Sequence, residues 1–267
     1  MTELRAHAKL TMSLRMTGLR ADGFHLIDAE MVSLALHDVL TVRSVEAVET
    51  DGAHGRSHDD DHGRLSATGP FAQGVPLDAT NLVARAMRRV GRRGDVVIDK
   101  HIPHGGGLGG GSTDAAAVLR WGGHGTSPAD LLEASTLGAD VPFCMIGGRA
   151  RVRGIGEVVE PLPFLEREIT LIVPPLAVST PAAYRAWDDL GGPTGDGPND
   201  LEAAALVVEP GLRRWRDAIT EALGEPPVLA GSGATWFAEG RRDDALGDVV
   251  GEGARVLVTR TVPSPFA

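Results

Sequence analysis

Six glycines crowd the segment from Pro103 to Thr113, at positions 105, 106, 107, 109, 110 and 111. They stand directly before the hydroxyls of Ser112 and Thr113 and the helix-forming run DAAAVLRW. Glycine lets the backbone turn its N–H groups onto a ligand, and the first turn of a helix adds positive potential, so the combination predicts a phosphate site. A P-loop needs a lysine after Gly110; Gly111 stands there, which excludes that motif. A dinucleotide fingerprint is met only trivially by so many glycines. The stretch where its next strand should end in an acid is instead the helical ADLLEAST. The loop is therefore a phosphate site of another kind.

Of the 26 basic residues only two are lysines, Lys9 and Lys100. Arginine cannot replace lysine where a compact point charge is needed, so both positions are candidates for chemistry. Lys9 lies in AHAKLTMSL near the start. Lys100 ends a strand just before the glycine loop and is either functional or a solvated strand end.

The elements that must position these groups follow from local pattern. LTMSLRM from Leu10 and MVSLAL from Met31 read as strands joined by the turn-like GLRADGFH. NLVARAMRRVGRRG places Leu82, Val83, Ala86 and Val90 at helical spacing behind the cap Asn81, with Gly91 as the stop, and leads into the strand DVVIDK. SPADLLEAST opens behind Ser127 with Asp130 completing a capping box, and LGADVPF is expected to end that helix. RARVRGIGEVVEPLP alternates as a strand, and PLPFLERE at 161–168 reads as a boundary. Beyond it come the strand ITLIVPP, the helix TPAAYRAWDDL, helices interrupted near Pro210, then PPVLAGSGATWFAEG and the strand ARVLVTRTV. Mixed elements in this order predict an α+β fold.

Composition narrows the function classes. Charges sum to −10, which disfavours nucleic acid and anionic membranes as partners. The single Cys144 makes no intramolecular disulfide, and neither a signal peptide nor a membrane span is expected, so a cytoplasmic setting fits. The cluster His54, His58, Asp59, Asp60, Asp61 and His62 lacks apolar support and reads as a solvated loop; no protein-held metal site is expected.

The run PHGGGLGGGSTDAA resembles the phosphate motif of the GHMP kinase superfamily. AHAKLTMSL at 6–14 and LAGSGATWF at 229–237 resemble its other two signatures, in the same order. ADGFHLIDAEMVSLALHDVLTV, NLVARA, LGADVPF, VSTPAAYRA and NDLE at 199–202 extend the resemblance over almost the whole chain. It implies a two-domain fold, a ribosomal S5-like N-terminal domain over 1–160 and a ferredoxin-like C-terminal domain over 161–267, with the active site between them. The implied activity is transfer of the γ-phosphoryl group of ATP to a small alcohol, with Mg2+ carried mainly on the nucleotide phosphates. The branch it most resembles acts on the 2-hydroxyl of 4-diphosphocytidyl-2-C-methyl-D-erythritol in non-mevalonate isoprenoid synthesis. A mevalonate-type or homoserine-type acceptor, or a non-catalytic nucleotide-binding regulator, are the alternatives. A monomer or homodimer is expected.

The resemblance also assigns residues. Asp140 is implied as the catalytic carboxylate and Lys9 as its partner, which suits a poor nucleophile that must lose a proton while anionic charge is stabilised. Pro103, His104, Gly105, Gly106, Gly107, Leu108, Gly109, Gly110, Gly111, Ser112 and Thr113 are implied to hold ATP. Thr11, Phe24, His25, Tyr184, Gly231 and Ser232 are implied to hold the acceptor, with His25 reading the cytosine ring between Phe24 and Tyr184. Thr11 stands where Asn is common in the family, Phe24 where Tyr is, Asp114 where Asn is frequent, and Cys144 in place of an apolar residue.

Overall fold

A computed structural model of the chain describes residues 1–47, 63–251 and 253–264; the His54–His62 cluster lies outside the described residues. In the first half the order is β1 (Thr2–Leu19), β2 (His25–Ala47), β3 (Leu65–Thr68), α1 (Leu82–Arg89), β4 (Arg92–Asp99), α2 (Gly110–Trp121), α3 (Pro128–Ser135), α4 (Val141–Ile146), β5 (Arg149–Gly154) and β6 (Val158–Pro161). In the second it is β7 (Glu168–Val173), α5 (Thr180–Asp189), α6 (Glu202–Val208), α7 (Gly211–Leu223), β8 (Val228–Leu229), β9 (Trp236–Glu239), α8 (Gly247–Gly251) and β10 (Arg255–Val262). No helix among the described residues is long and apolar enough to cross a membrane.

The two opening strands are longer than their apolar runs suggest and form one antiparallel ribbon, from Thr2 opposite Val42 to Leu19 opposite His25. Its register shifts between His7 and Lys9 and again between Thr11 and Ser13. Such bulges re-aim side chains, here on either side of Lys9 and Thr11 in the AHAKLTMSL segment. β2 also pairs with β4 and β5, β3 runs parallel to β4, and β6 closes the edge beyond β5. β10 joins the halves: it runs antiparallel to β7 and reaches β2 through Thr261 opposite Leu34 and Val262 opposite Ser33. β9 and β8 complete that side.

The helix starts follow their sequence signals. Asn81 Oδ1 accepts from Val83 N at 2.8 Å, and Ser127 and Asp130 make the reciprocal capping box. α3 stops at Ser135, just before LGADVPF as expected; what the sequence did not show is that a separate short helix, α4, starts within that segment after Asp140. Pro142 sits in the first turn of α4, where its missing N–H costs nothing. That break is what sets Asp140 at a helix N-terminus. Residues 162–167 carry no regular structure.

Three apolar clusters hold the layers. One packs α1, α2 and α4 on the first sheet through Leu40, Met87, Ile98, Val118 and Phe143; another packs α6 and α7 on β9 through Leu212, Trp215, Ile219 and Trp236. The third lies between them and gathers Ala8 and Leu10 of β1, Ile102 and Leu108 of the glycine loop, Ala230, and Phe237 of β9. Strand alternation puts Ala8 and Leu10 into this cluster and leaves Lys9 free to serve another surface.

Candidate active site

The glycine loop leaves β4, crosses the third cluster on the buried Leu108, and ends at Gly109, whose φ of 70° is left-handed and precedes α2. Two close approaches explain why glycine is required. A Cβ on Gly107 would stand 2.3 Å from the Ala230 carbonyl oxygen, and one on Gly109 would stand 2.6 Å from Lys9 Cγ. Backbone bonds fix the same neighbours: Lys9 N donates to Leu108 O at 3.1 Å and Thr235 N to Gly106 O at 3.3 Å. The three segments that are remote in sequence thus meet around one loop.

Lys9 is buried, yet its ammonium is in a polar setting. Nζ lies 3.2 Å from Asp140 Oδ2 and donates to Thr11 Oγ1 at 3.2 Å. The Asp140 side chain is 30% exposed, so it pairs with Lys9 and still opens onto solvent. Gly231 lies beside both partners, a Cβ there falling 3.5 Å from Lys9 Nζ and 3.7 Å from Thr11 Oγ1. Asn199 fastens this turn from behind, donating to Leu229 O at 2.9 Å and Gly231 O at 2.7 Å.

A cleft of about 380 Å³ contains the pair. Its walls include Lys9, Thr11, His25, every residue from Pro103 to Ser112, Asp140, Tyr184, Gly231 and Ser232. Two expected residues stand outside its lining. Thr113 is buried and its hydroxyl donates to His7 O at 2.7 Å, which ties α2 to β1. Phe24 sits on the turn between β1 and β2, 56% exposed, with the Arg20 guanidinium 5.4 Å from its ring centre. It is no core aromatic.

At the far end His25 Nε2 donates to Asp188 Oδ1 at 2.8 Å, and its ring lies 5.0 Å from that of Tyr184 and 5.7 Å, edge-on, from that of Trp187. Burial, with the Asp140 charge adding to it, pushes the Tyr184 hydroxyl up to about 12, so it stays a donor. Burial likewise pushes Cys144 up to about 12, which makes it an inert core thiol.

Several site groups were not legible in the sequence. Thr180, whose Oγ1 lies 2.8 Å from Ser232 Oγ, and Asn199 carried no signal beyond their place in family-like runs, and Asp188 none beyond its place in a helix. Lys100 is settled by the structure: it is 3% exposed and paired with Asp38 and Asp114, not a solvated strand end.

The start of α2 carries no side-chain cap and no acid in its first turn, so its N–H groups are available to an anion that the glycines cradle. With a carboxylate and an ammonium in the same cleft, fold and site together define a GHMP kinase. Residues 79–148 match the GHMP kinases N terminal domain. A homoserine kinase structure from Cytophaga hutchinsonii shares the fold, with a TM-score of 0.56 at 17% identity over 98% of this chain and 95% of that one.

Nearer relatives narrow the class. The chain is 38% identical to the 4-diphosphocytidyl-2-C-methyl-D-erythritol kinase of Paracoccus denitrificans over 251 residues, 87% of this chain and 84% of the relative. A crystal structure of 4-(cytidine 5'-diphospho)-2C-methyl-D-erythritol kinase superposes with a TM-score of 0.69 at 28% identity, over 97% of this chain and 99% of that one. The chain belongs to the 4-diphosphocytidyl-2-C-methyl-D-erythritol kinase family.

Proposed function

We propose that the chain transfers the γ-phosphoryl group of ATP to the 2-hydroxyl of 4-diphosphocytidyl-2-C-methyl-D-erythritol. The observation that carries this reading is the Lys9–Asp140 pair, 3.2 Å apart in the same cleft as the glycine loop, with Lys9 packed against Gly109. ATP brings the phosphoryl group, and Mg2+ carried on its phosphates neutralises their charge when bound. The glycine cradle and the uncapped start of α2 fit that polyphosphate, with Ser112 on the cleft as a further oxygen donor.

Within this arrangement Asp140 accepts the proton of the 2-hydroxyl as its oxygen attacks phosphorus, and the bond to the ADP oxygen breaks in line. No enzyme-bound phosphate is needed. Thr11 accepts one hydrogen of Lys9 Nζ and Asp140 pairs with its charge at 3.2 Å, which leaves the ammonium able to donate to the alcohol or to an oxygen of the moving phosphoryl group. Thr11, shorter than Asn, positions the alcohol from the same side. Ser232 and Gly231 close the acceptor site near Thr180. His25 reads the cytosine edge beside Tyr184, with Asp188 fixing its tautomer and the exposed Phe24 as a stacking platform.

We place the boundary between two domains near residue 160, a reading supported by the irregular stretch 162–167. The chain is read as a cytoplasmic enzyme, monomer or homodimer, whose partners are small molecules alone. An ADP-release assay with MgATP and this alcohol, run beside mevalonate and homoserine at matched concentrations, tests the function. Turnover confined to the cytidylyl alcohol is the expected result; turnover on another alcohol, or on none, contradicts it.

A further inference from the structure

The glycine loop lacks the lysine that ends a P-loop, yet an ammonium reaches it from beneath. Lys100 directly follows β4, and its Nζ donates to Asp38 of β2 and, at 2.7 Å, to Asp114 of α2. A Cβ on Gly110 would stand 3.2 Å from that Nζ, which puts the ammonium under the first residue of α2. With its other oxygen Asp38 accepts from His101 N at 2.5 Å and Ile102 N at 2.8 Å, the two residues through which the chain runs into the loop. Asp114 belongs to the helix through which it leaves.

Attraction of phosphate is not what this cluster supplies. With both carboxylates ionised the three charges sum to −1, the wrong sign for drawing in a polyanion. Nor is it tuned for its own stability: Asp114 Oδ1 is buried without a hydrogen-bond partner, and buried ion clusters are often no more stabilising than apolar packing of similar volume. What remains is geometry. We propose that Lys100 is a positioning residue for the nucleotide, bridging Asp38 and Asp114 so that the incoming and outgoing ends of the glycine loop keep the spacing a polyphosphate requires. Burial pushes Asp114 up to about 7 against the opposing pull of Lys100, so removing the ammonium alone strands two acids.

The inference rests on reading the loop as the ATP site, and its test separates the two. Lys100→Met combined with Asp114→Asn removes the ammonium without stranding both acids. Binding of a non-hydrolysable ATP analogue with Mg2+ to the intact chain is measured by calorimetry, beside KM for each substrate and thermal unfolding. Affinity for the analogue is expected to fall about tenfold or more, as for a misplaced positioning group, with KM for the alcohol within about twofold. Lower thermal stability with unchanged analogue affinity would mean a purely structural role and overturn the proposal, as would equal weakening of both substrates. Wild-type chain that failed to bind the analogue would overturn the ATP reading and this inference with it. If the double variant does not fold, Asp114→Ala leaves Lys100 paired with Asp38 and carries the same test: analogue binding about threefold weaker or more supports the bridge, unchanged binding overturns it.

Discussion

Lys9 and Asp140 lie 3.2 Å apart, so replacing the carboxylate by its isosteric amide isolates the chemistry from the shape. Asp140→Asn is expected to lower kcat about 100-fold or more, the usual range for loss of a general base, with ATP affinity within about twofold by calorimetry. Near-wild-type turnover would remove Asp140 from the mechanism. Phe24 separates binding from packing in the same way. Because it is exposed, Phe24→Ala should leave unfolding stability within about 0.5 kcal/mol. KM for the alcohol should rise more than KM for ATP, since stacking contributes about 1–3 kcal/mol per base; equal changes would deny the stacking role. A third residue titrates. Asp114 is raised by burial to about 7 from an ordinary 3.8, so the folded chain holds its proton more tightly than the unfolded one. Its proton-linked contribution is complete below about pH 3.8 and is lost as pH rises through about 7. Asp114→Asn, which cannot ionise, should therefore gain stability relative to wild type between pH 5 and pH 8 in urea titrations, and a constant difference would contradict the shift. Sequence reading marked Asp114 only as a departure from Asn, because nothing local shows that Lys100 and Asp38 are folded against it.

Among the elements, the loop and the two helices around it decide where the chemistry happens. The need for glycine between 103 and 113 was plain from composition, but which glycines are irreplaceable depends on partners more than 90 residues away. Gly107 meets the Ala230 carbonyl, backbone against backbone, and its φ of 76° already disfavours a side chain. Gly107→Ala should raise KM for ATP about tenfold by lifting the loop off the Gly231 turn. Gly109→Ala instead presses on Lys9 Cγ and should act mainly on kcat. Steady-state constants of the two variants check this split, and identical effects would refute it. Helix starts at Asn81 and Ser127 were legible because their caps are local. The break before α4 was not, since Pro142 allows a helix to begin as readily as it ends one. The place of Asp140 rests on that break.

For the molecule as a whole, three segments at 6–14, 103–113 and 229–237 become one site because Leu10, Leu108 and Phe237 share a cluster. Each segment was visible in the sequence as a motif. Their convergence was not visible, since it depends on β10 reaching β2 and β7 from the other end of the chain. Thr180, Asp188 and Asn199 escaped notice for the same reason: each bonds a partner at least 30 residues away. That convergence gives a cleft in which the glycine loop, the Lys9–Asp140 pair and His25 share one lining, and the proposed function turns on what leaves it. Phosphorus NMR of the products formed from MgATP and 4-diphosphocytidyl-2-C-methyl-D-erythritol tests this most directly. One new phosphomonoester, equal in amount to the ADP formed and with the substrate diphosphate intact, is the result predicted; inorganic phosphate alone, or a cleaved diphosphate, would contradict it.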